Sequence, residues 1–258
     1  MLTALANSLW CLTLVAYGSG VEPGTDSAFE NLCPSVRIMT SSVPDWLDVQ
    51  LLNTSRRGIL GYKTAAGRTN QTIIDSPSVN VQGTHAHPLI NAGATYRFSI
   101  PLPKQGRPVL AAVIFDDGTH EGDTGLAAQT RAAQMGNETM SNQIIGILDS
   151  VVTESSGDAD VREAIKKVDA LRIGPDEALA KTFNAEFPDS MRKYAPVVNI
   201  TMTHVKAAFL VALKAYGDHQ TNLLGFSPAE PRPASFSEWW KRWRSLMQSG
   251  NLNGDPLY

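Results

Sequence analysis

Asp116-Asp117-Gly118-Thr119-His120-Glu121-Gly122-Asp123 divides the chain into two parts of different character. Upstream of it, apolar residues alternate in short runs between clusters of Pro, Gly and Asn. Downstream they recur every three or four residues through long stretches with little Gly or Pro. A period of two suits strands with one buried face, and a period near 3.6 suits helices with an apolar stripe. The octapeptide therefore reads as the seam between a β module and a helical module. The expected fold class is α+β.

In the upstream part, Val36 and Ile38 alternate with Ser35 and Arg37, and Leu47, Val49 and Leu51 alternate with Asp48 and Gln50. Tyr96, Phe98 and Ile100 stand against Arg97 and Ser99 in the same way. Ile59–Lys63, Thr72–Ile74 and Ser78–Val81 are shorter candidates. Val109–Phe115 is almost continuously apolar, which predicts a central strand covered on both faces. Pro101, Pro103 and Pro108 fall at strand ends, where a missing N–H costs least. About six or seven short strands separated by turn clusters predict an antiparallel β-sandwich over residues 33–122. The run Val49-Gln50-Leu51-Leu52-Asn53-Thr54-Ser55-Arg56-Arg57-Gly58-Ile59-Leu60-Gly61-Tyr62 resembles the strand–turn–strand units of bacterial immunoglobulin-like modules. The stretch from Ala112 to Asp123 is similar to a closing strand and exit turn in exported proteins of that kind. The resemblance covers residues 33–123. It implies an Ig-like fold and export, and it carries no reaction or ligand.

Downstream, Asp123 is placed to cap a helix running from Thr124 towards Val152, with Gly136 bending or dividing it. Leu126, Thr130, Ala133, Met140, Ile144, Ile147, Leu148 and Val151 would form its inward face. Asp158–Leu171 reads as a charged helix, Gly174-Pro175 as the start of another, and Asn199–Tyr216 as the most regular of all. These predict a helical bundle over residues 123–226, followed by a Pro-rich linker at 227–234. A Trp-rich amphipathic helix at 235–249 and a tail at 250–258 complete the chain.

The first 18 residues read as an export signal. Leu9–Tyr17 is apolar and too short to span a bilayer, and Ala16-Tyr17-Gly18 suits cleavage before Ser19, although no Lys or Arg precedes the run. The competing reading is a buried N-terminal helix or strand. Residues 19–32 then form a flexible lead-in, and the expected location is secreted or periplasmic. Loss of Cys11 with the leader leaves Cys33 without a partner, read as a small buried apolar residue. No segment past the leader is expected to be long and apolar enough to cross a membrane. With 22 basic and 25 acidic residues the net charge is −3, and no basic stripe marks a nucleic-acid partner.

Two clusters bear on chemistry. His85-Ala86-His87, if on a strand, turns both imidazoles to one side. With His120 and Asp116 of the seam they match a zinc set of two or three histidines and a carboxylate. The competing reading, which is preferred and implies no cofactor, makes Asp117-Gly118 a turn, Asp123 a cap and the histidines solvated. No Gly-x-Ser-x-Gly, His-Glu-x-x-His, Cys-x-x-Cys or Walker motif occurs. His204 lies near the edge of an apolar stripe and reads as partly buried. Asn53, Asn70, Asn137 and Asn199 begin glycosylation sequons, read as chance matches.

In the last helix Phe236, Trp239, Trp240, Trp243, Leu246 and Met247 form one stripe, with Lys241, Arg242 and Arg244 away from it. Such a helix suits either a membrane surface or partner, or the closing of the bundle, which is preferred. Three functions follow in order of preference. The first is a non-enzymatic extracytoplasmic binding or scaffold protein whose partner is a protein or envelope component. The second is a metal-dependent hydrolase using His85 and His87 with residues 116–123. The third is a peripheral membrane protein anchored by residues 235–249.

Overall fold

The computed structural model of the chain describes residues 28–43, 45–65, 67–69, 72–74, 88–101, 107–218 and 235–248. The leader, the Ser78–Val81 strand, His85, His87, the Pro-rich linker and the tail lie outside them. The fold is α+β: sheets built from the first half of the chain, then helices. Strands β2 (Val36–Val43), β3 (Trp46–Asn53) and β7 (Thr95–Pro101) make one antiparallel sheet in that order. A second sheet runs β1 (Glu30–Asn31), β8 (Val109–Phe115), β4 (Ile59–Ala65), with β9 (His120–Gly122) also on β8. Strands β5 (Gly67–Thr69) and β6 (Thr72–Ile74) form a ribbon of their own.

The two larger sheets share one core. Leu47, Val49 and Leu51 from β3 meet Tyr62 from β4 and Leu110, Val113 and Phe115 from β8. The Tyr62 ring stacks on Phe98 of β7 with centroids 5.3 Å apart. The alternation read in β3 thus points its apolar side at the other sheet. On the opposite face of β8, Ala112 and Ile114 join the core of the helices. All seven residues of β8 are buried, as its unbroken apolar sequence predicts.

Residues Thr64 and Lys63 of β4 pair with Leu110 and Ala112, so Ala111 is an extra residue in β8. A bulge of this kind turns neighbouring side chains to the same side. Ala111 accordingly packs near Leu126, on the helical side, like Ala112. After the bulge the alternation resumes with opposite parity, which is why Leu110 and Val113 both face the first sheet.

Helix α1 (Thr124–Val151) starts where the sequence places it, with the Asp123 carboxylate accepting from Leu126 N–H at 2.8 Å. It is followed by α2 (Asp158–Asp169), α3 (Glu177–Glu186), α4 (Met191–Gly217) and α5 (Phe236–Gln248). Gly136 does not divide α1, which runs unbroken through it. A Cβ there would lie 2.9 Å from the Val198 carbonyl oxygen, so this glycine permits close approach of α1 and α4.

Several expectations need correction. The second sheet is mixed, because β1 pairs parallel with β8. The lead-in also ends earlier: Phe29 is buried, and Glu30-Asn31 hydrogen-bond beside β8. Asp176, not Pro175, is next to the first residue of α3 and caps it. Helix α4 begins at Met191 and carries Pro196 inside it, on an exposed face. With that added turn and more, α4 is long and apolar enough to cross a membrane by length and composition, with a mean hydropathy of 1.4. The expectation that no such segment follows the leader therefore fails. A third of that stretch, 33%, is buried inside the chain.

Two glycines test this account in opposite directions. Gly122 has φ +88°, and a Cβ would lie 2.2 Å from the Ala111 carbonyl oxygen. Gly122→Ala is expected to cost about 2–3 kcal/mol or more. Gly146 lies in α1, and a Cβ placed there would have nothing within 4 Å. Gly146→Ala should stabilise the protein by about 0.5–1 kcal/mol through helix propensity. Urea denaturation of both variants measures the two changes.

Candidate functional site

The seam forms the turn between β8 and β9 and then the first turn of α1. Phe115 N–H donates to the Thr119 carbonyl at 2.9 Å, and Gly118 takes φ +80°. His120 and Glu121 are thus strand residues, not loop residues as their setting in sequence suggests.

Each acid of the seam accepts from a fixed donor. Asp116 Oδ2 accepts from Gly58 N–H at 2.9 Å, and Asp116 N–H returns a bond to the Gly58 carbonyl at 2.9 Å. Asp117 Oδ1 accepts from the Thr119 backbone at 3.0 Å and from its hydroxyl at 2.5 Å. Glu121 accepts from Ser35 N–H at 2.8 Å, from Ser35 Oγ at 2.5 Å and from Arg57 Nη2 at 3.1 Å. Arg57 also donates to Thr119 Oγ1 at 2.6 Å, and its guanidinium carbon lies 3.6 Å from the centroid of Phe115. The His120 ring packs on Phe187 with centroids 5.0 Å apart, and its Nε2 lies 3.3 Å from Thr124 Oγ1.

The electrostatics suit a structural joint. Burial raises the Asp117 carboxyl, but bonds from the Thr119 side chain and backbone and the charge of Arg57 together outweigh it and hold it below the usual range. A general acid at neutral pH needs the opposite shift. Cys33 is buried, with Sγ 3.6 Å from the Glu121 carbonyl and 3.8 Å from that of Leu110. Burial, reinforced by the charge of Glu121, pushes its thiol far above the ordinary value, so thiolate nucleophile chemistry is closed to it.

Of the proposed metal set, Asp116 and His120 have the partners just given, and His85 and His87 lie outside the described residues. Among the described residues, no group of three or more His, Cys, Asp or Glu is arranged to hold a metal ion. His204 is exposed on α4 instead of partly buried, because the stripe turns past it through Met202 and Phe209. Asn53 is fully buried and donates to the carbonyls of Arg57, Ile90 and Asn91, so this sequon residue is a structural hub.

The Trp-rich helix is packed on its apolar side. Trp239, Trp240 and Trp243 are buried, and Phe209 of α4 lies 5.8, 6.2 and 5.5 Å from their ring centroids. Asp149 of α1 accepts from Trp240 Nε1 at 2.8 Å and from Arg244 Nη2 at 3.0 Å. Arg242 pairs with Glu238 one turn away at 2.9 Å, and Lys241 is exposed. Trp239 Nε1 is buried and has no hydrogen-bond partner among the described residues.

Sequence reasoning missed the residues that join these elements. Arg57 reads as a turn residue and Ser35 as the polar face of a strand, and nothing in the sequence singles out Asp149. Arg131 and Glu186, 55 residues apart, form a bidentate pair with both contacts at 2.7 Å, and Arg131 also donates to Gln134 at 3.0 Å. None of these pairings has a local signal, since only the fold brings the partners together. No protein-family model, curated protein or solved structure matches the chain.

Trp239→Ala removes the largest fully buried side chain and is expected to cost about 3–5 kcal/mol, whereas Lys241→Ala on the exposed side should change stability by less than about 0.5 kcal/mol. Thermal and urea unfolding of the two variants compare the faces directly. Asp117 gives a pH signature. Its lowered folded value means that its contribution is present above the unfolded value near about 4 and fades as pH falls through the folded one. Asp117→Asn should therefore be less stable than the parent at neutral pH, with the gap closing in acid. Urea midpoints across that range would show it.

Proposed function

We propose that this chain is a non-enzymatic extracytoplasmic binding or scaffold protein, an Ig-like β-sandwich carrying a helical bundle. The seam supports the reading most directly. Its carboxylates, the residues best suited by type to chemistry, act as links: Asp116 to Gly58 just before β4, Glu121 to Ser35 and Arg57, Asp123 to the start of α1. Groups fixed in this way hold modules together and leave recognition to the surface. The apolar run Leu9–Tyr17 and the small residues after it support export. The step from architecture to role is one of analogy.

Intact-mass measurement of the protein from its native host is expected to give a chain beginning near Ser19 in an extracytoplasmic fraction. Elemental analysis should find no stoichiometric zinc, and chelation should leave the melting temperature unchanged. A cytoplasmic chain retaining Met1–Gly18, or stoichiometric zinc lost on His85→Ala or His120→Ala, would overturn the proposal and favour the hydrolase.

A further inference from the structure

Strand β2 is the outer strand of its sheet, and it pairs with β3 without a bulge from Val36 to Val43. Ser35 lies opposite Thr54 in that register, and Thr54 N–H donates to the Ser35 carbonyl at 2.9 Å. Hydrogen-bonded and non-bonded pairs alternate along an antiparallel ladder. Arg37, Met39 and Ser41 therefore direct their backbone groups at β3, while Val36, Ile38 and Thr40 direct theirs outward. Val36 agrees: its N–H goes to the Cys33 carbonyl and its carbonyl accepts from Asn31 Nδ2, neither of them on β3. Among the described residues no strand pairs with the outward groups of Ile38 and Thr40.

Of the usual protections of an edge, the strand itself carries one, the exposed charge of Arg37. The eight residues Val-Arg-Ile-Met-Thr-Ser-Ser-Val contain no Pro and no Lys. The opposite edge strand, β7, ends in Pro101. Beside the first half of β2 lies an open depression lined by Phe29, Asn31, Pro34, Val36, Arg37, Ile38 and Thr54. Arg37 is the one charged residue of the strand, and it is exposed.

The geometry points to β2 as a docking edge for an extended peptide segment of a partner protein, which adds a strand to the sheet. Main-chain bonds to Ile38 and Thr40 would supply affinity. An apolar side chain against Pro34 and Ile38 and an acidic residue beside Arg37 would supply selectivity. The exposed charge of Arg37 argues for this occupant over a second copy. A copy running antiparallel would bring its own Thr40-Ser41-Ser42 past the depression, and hydroxyls do not neutralise a guanidinium. The inference rests on the binding role proposed above for its biological use. Its test on purified full chain is independent of export, so the two fail separately.

The probe is a blocked, fluorescein-labelled peptide of alternating valine and threonine with one leucine and one aspartate, against its lysine counterpart. Anisotropy should show the aspartate peptide binding about fivefold or more tighter, with the preference reversed by Arg37→Glu. Hydrogen exchange followed by NMR should show the amides of Ile38 and Thr40 slowed only when peptide is bound. Thr40→Pro deletes one outward N–H and no bond to β3, so it should abolish binding while the melting temperature stays near that of the parent. If that variant unfolds, the Arg37→Glu reversal still decides. Equal binding of the two peptides, unchanged exchange at saturating peptide, or a free chain already dimeric with both amides protected would each overturn the proposal.

Discussion

Strand β8 has no face turned to water, and the rest of the fold is arranged around that. One side of it closes the core shared by the two sheets, and the other lies under the helices. A strand in this position must satisfy every backbone group within the protein. It does so with β4 on one edge and with β1 and β9 in succession on the other. The bulge at Ala111 then sets two alanines side by side beneath α1. Small side chains there let the helix approach, and Ala127, Ala128 and Ala132 of α1 are likewise buried. The join is completed by main-chain atoms: Asp123 N–H donates to the Ala111 carbonyl at 2.7 Å. The sheet thereby fixes where the first helix starts, and only a glycine at 122 leaves room for the contact.

Charged residues lock this arrangement from two sides. Glu121 ties β9 to Ser35 and to Arg57, which itself lies over Phe115. Arg131 of α1 reaches Glu186 at the end of α3, and the adjacent Phe187 supports His120. The Arg131 side chain is only 3% exposed and that of Glu186 14%. A pair so far from water gains little net stability over an apolar substitute, because desolvation offsets much of the attraction. Losing one partner is costly, since a buried charge is left behind. Such a pair therefore contributes chiefly to which helix end sits where.

The sequence made the elements legible and the joints illegible, for a physical reason. Periodicity reports burial along one segment, so β3, β7, β8 and the body of α1 could be read from Leu47, Tyr96, Val109 or Ile144 and their neighbours. The edge strand β1 is two residues long and shows no period, and β9 hides in a polar stretch whose backbone pairs although its side chains are not apolar. The periodicity is read only from Asn199, yet packing of Tyr194 and Val198 carries the helix through Pro196 to an earlier start. The densest group of acids was plain in the sequence. The donors to Asp116 and Glu121 were not, because Gly58, Ser35 and Arg57 are more than 50 residues away, whereas the cap at Asp123 was legible from its place before the helix.

The same distinction between satisfied and unsatisfied groups orders the surfaces of the molecule. Helix α5 has 13 residues, too few to hold a helix alone in water, so its stability must come from the face it buries. That face contacts Phe209 and Tyr216 and is held at its rim by Asp149. The unpartnered Trp239 indole N–H costs about 1–3 kcal/mol. Burial of a Trp ring at about 25 cal/mol per Å² over roughly 200 Å² contributes about 5 kcal/mol, which exceeds that cost. The aromatic stripe is therefore stable where it lies, even with one donor unmet. At β2 the balance runs the other way. Val36 turns its backbone groups to Cys33 and Asn31, whereas those of Ile38 and Thr40 have no strand partner among the described residues. The aromatic stripe is thus already packed, and the groups left without a strand lie on a polar backbone edge.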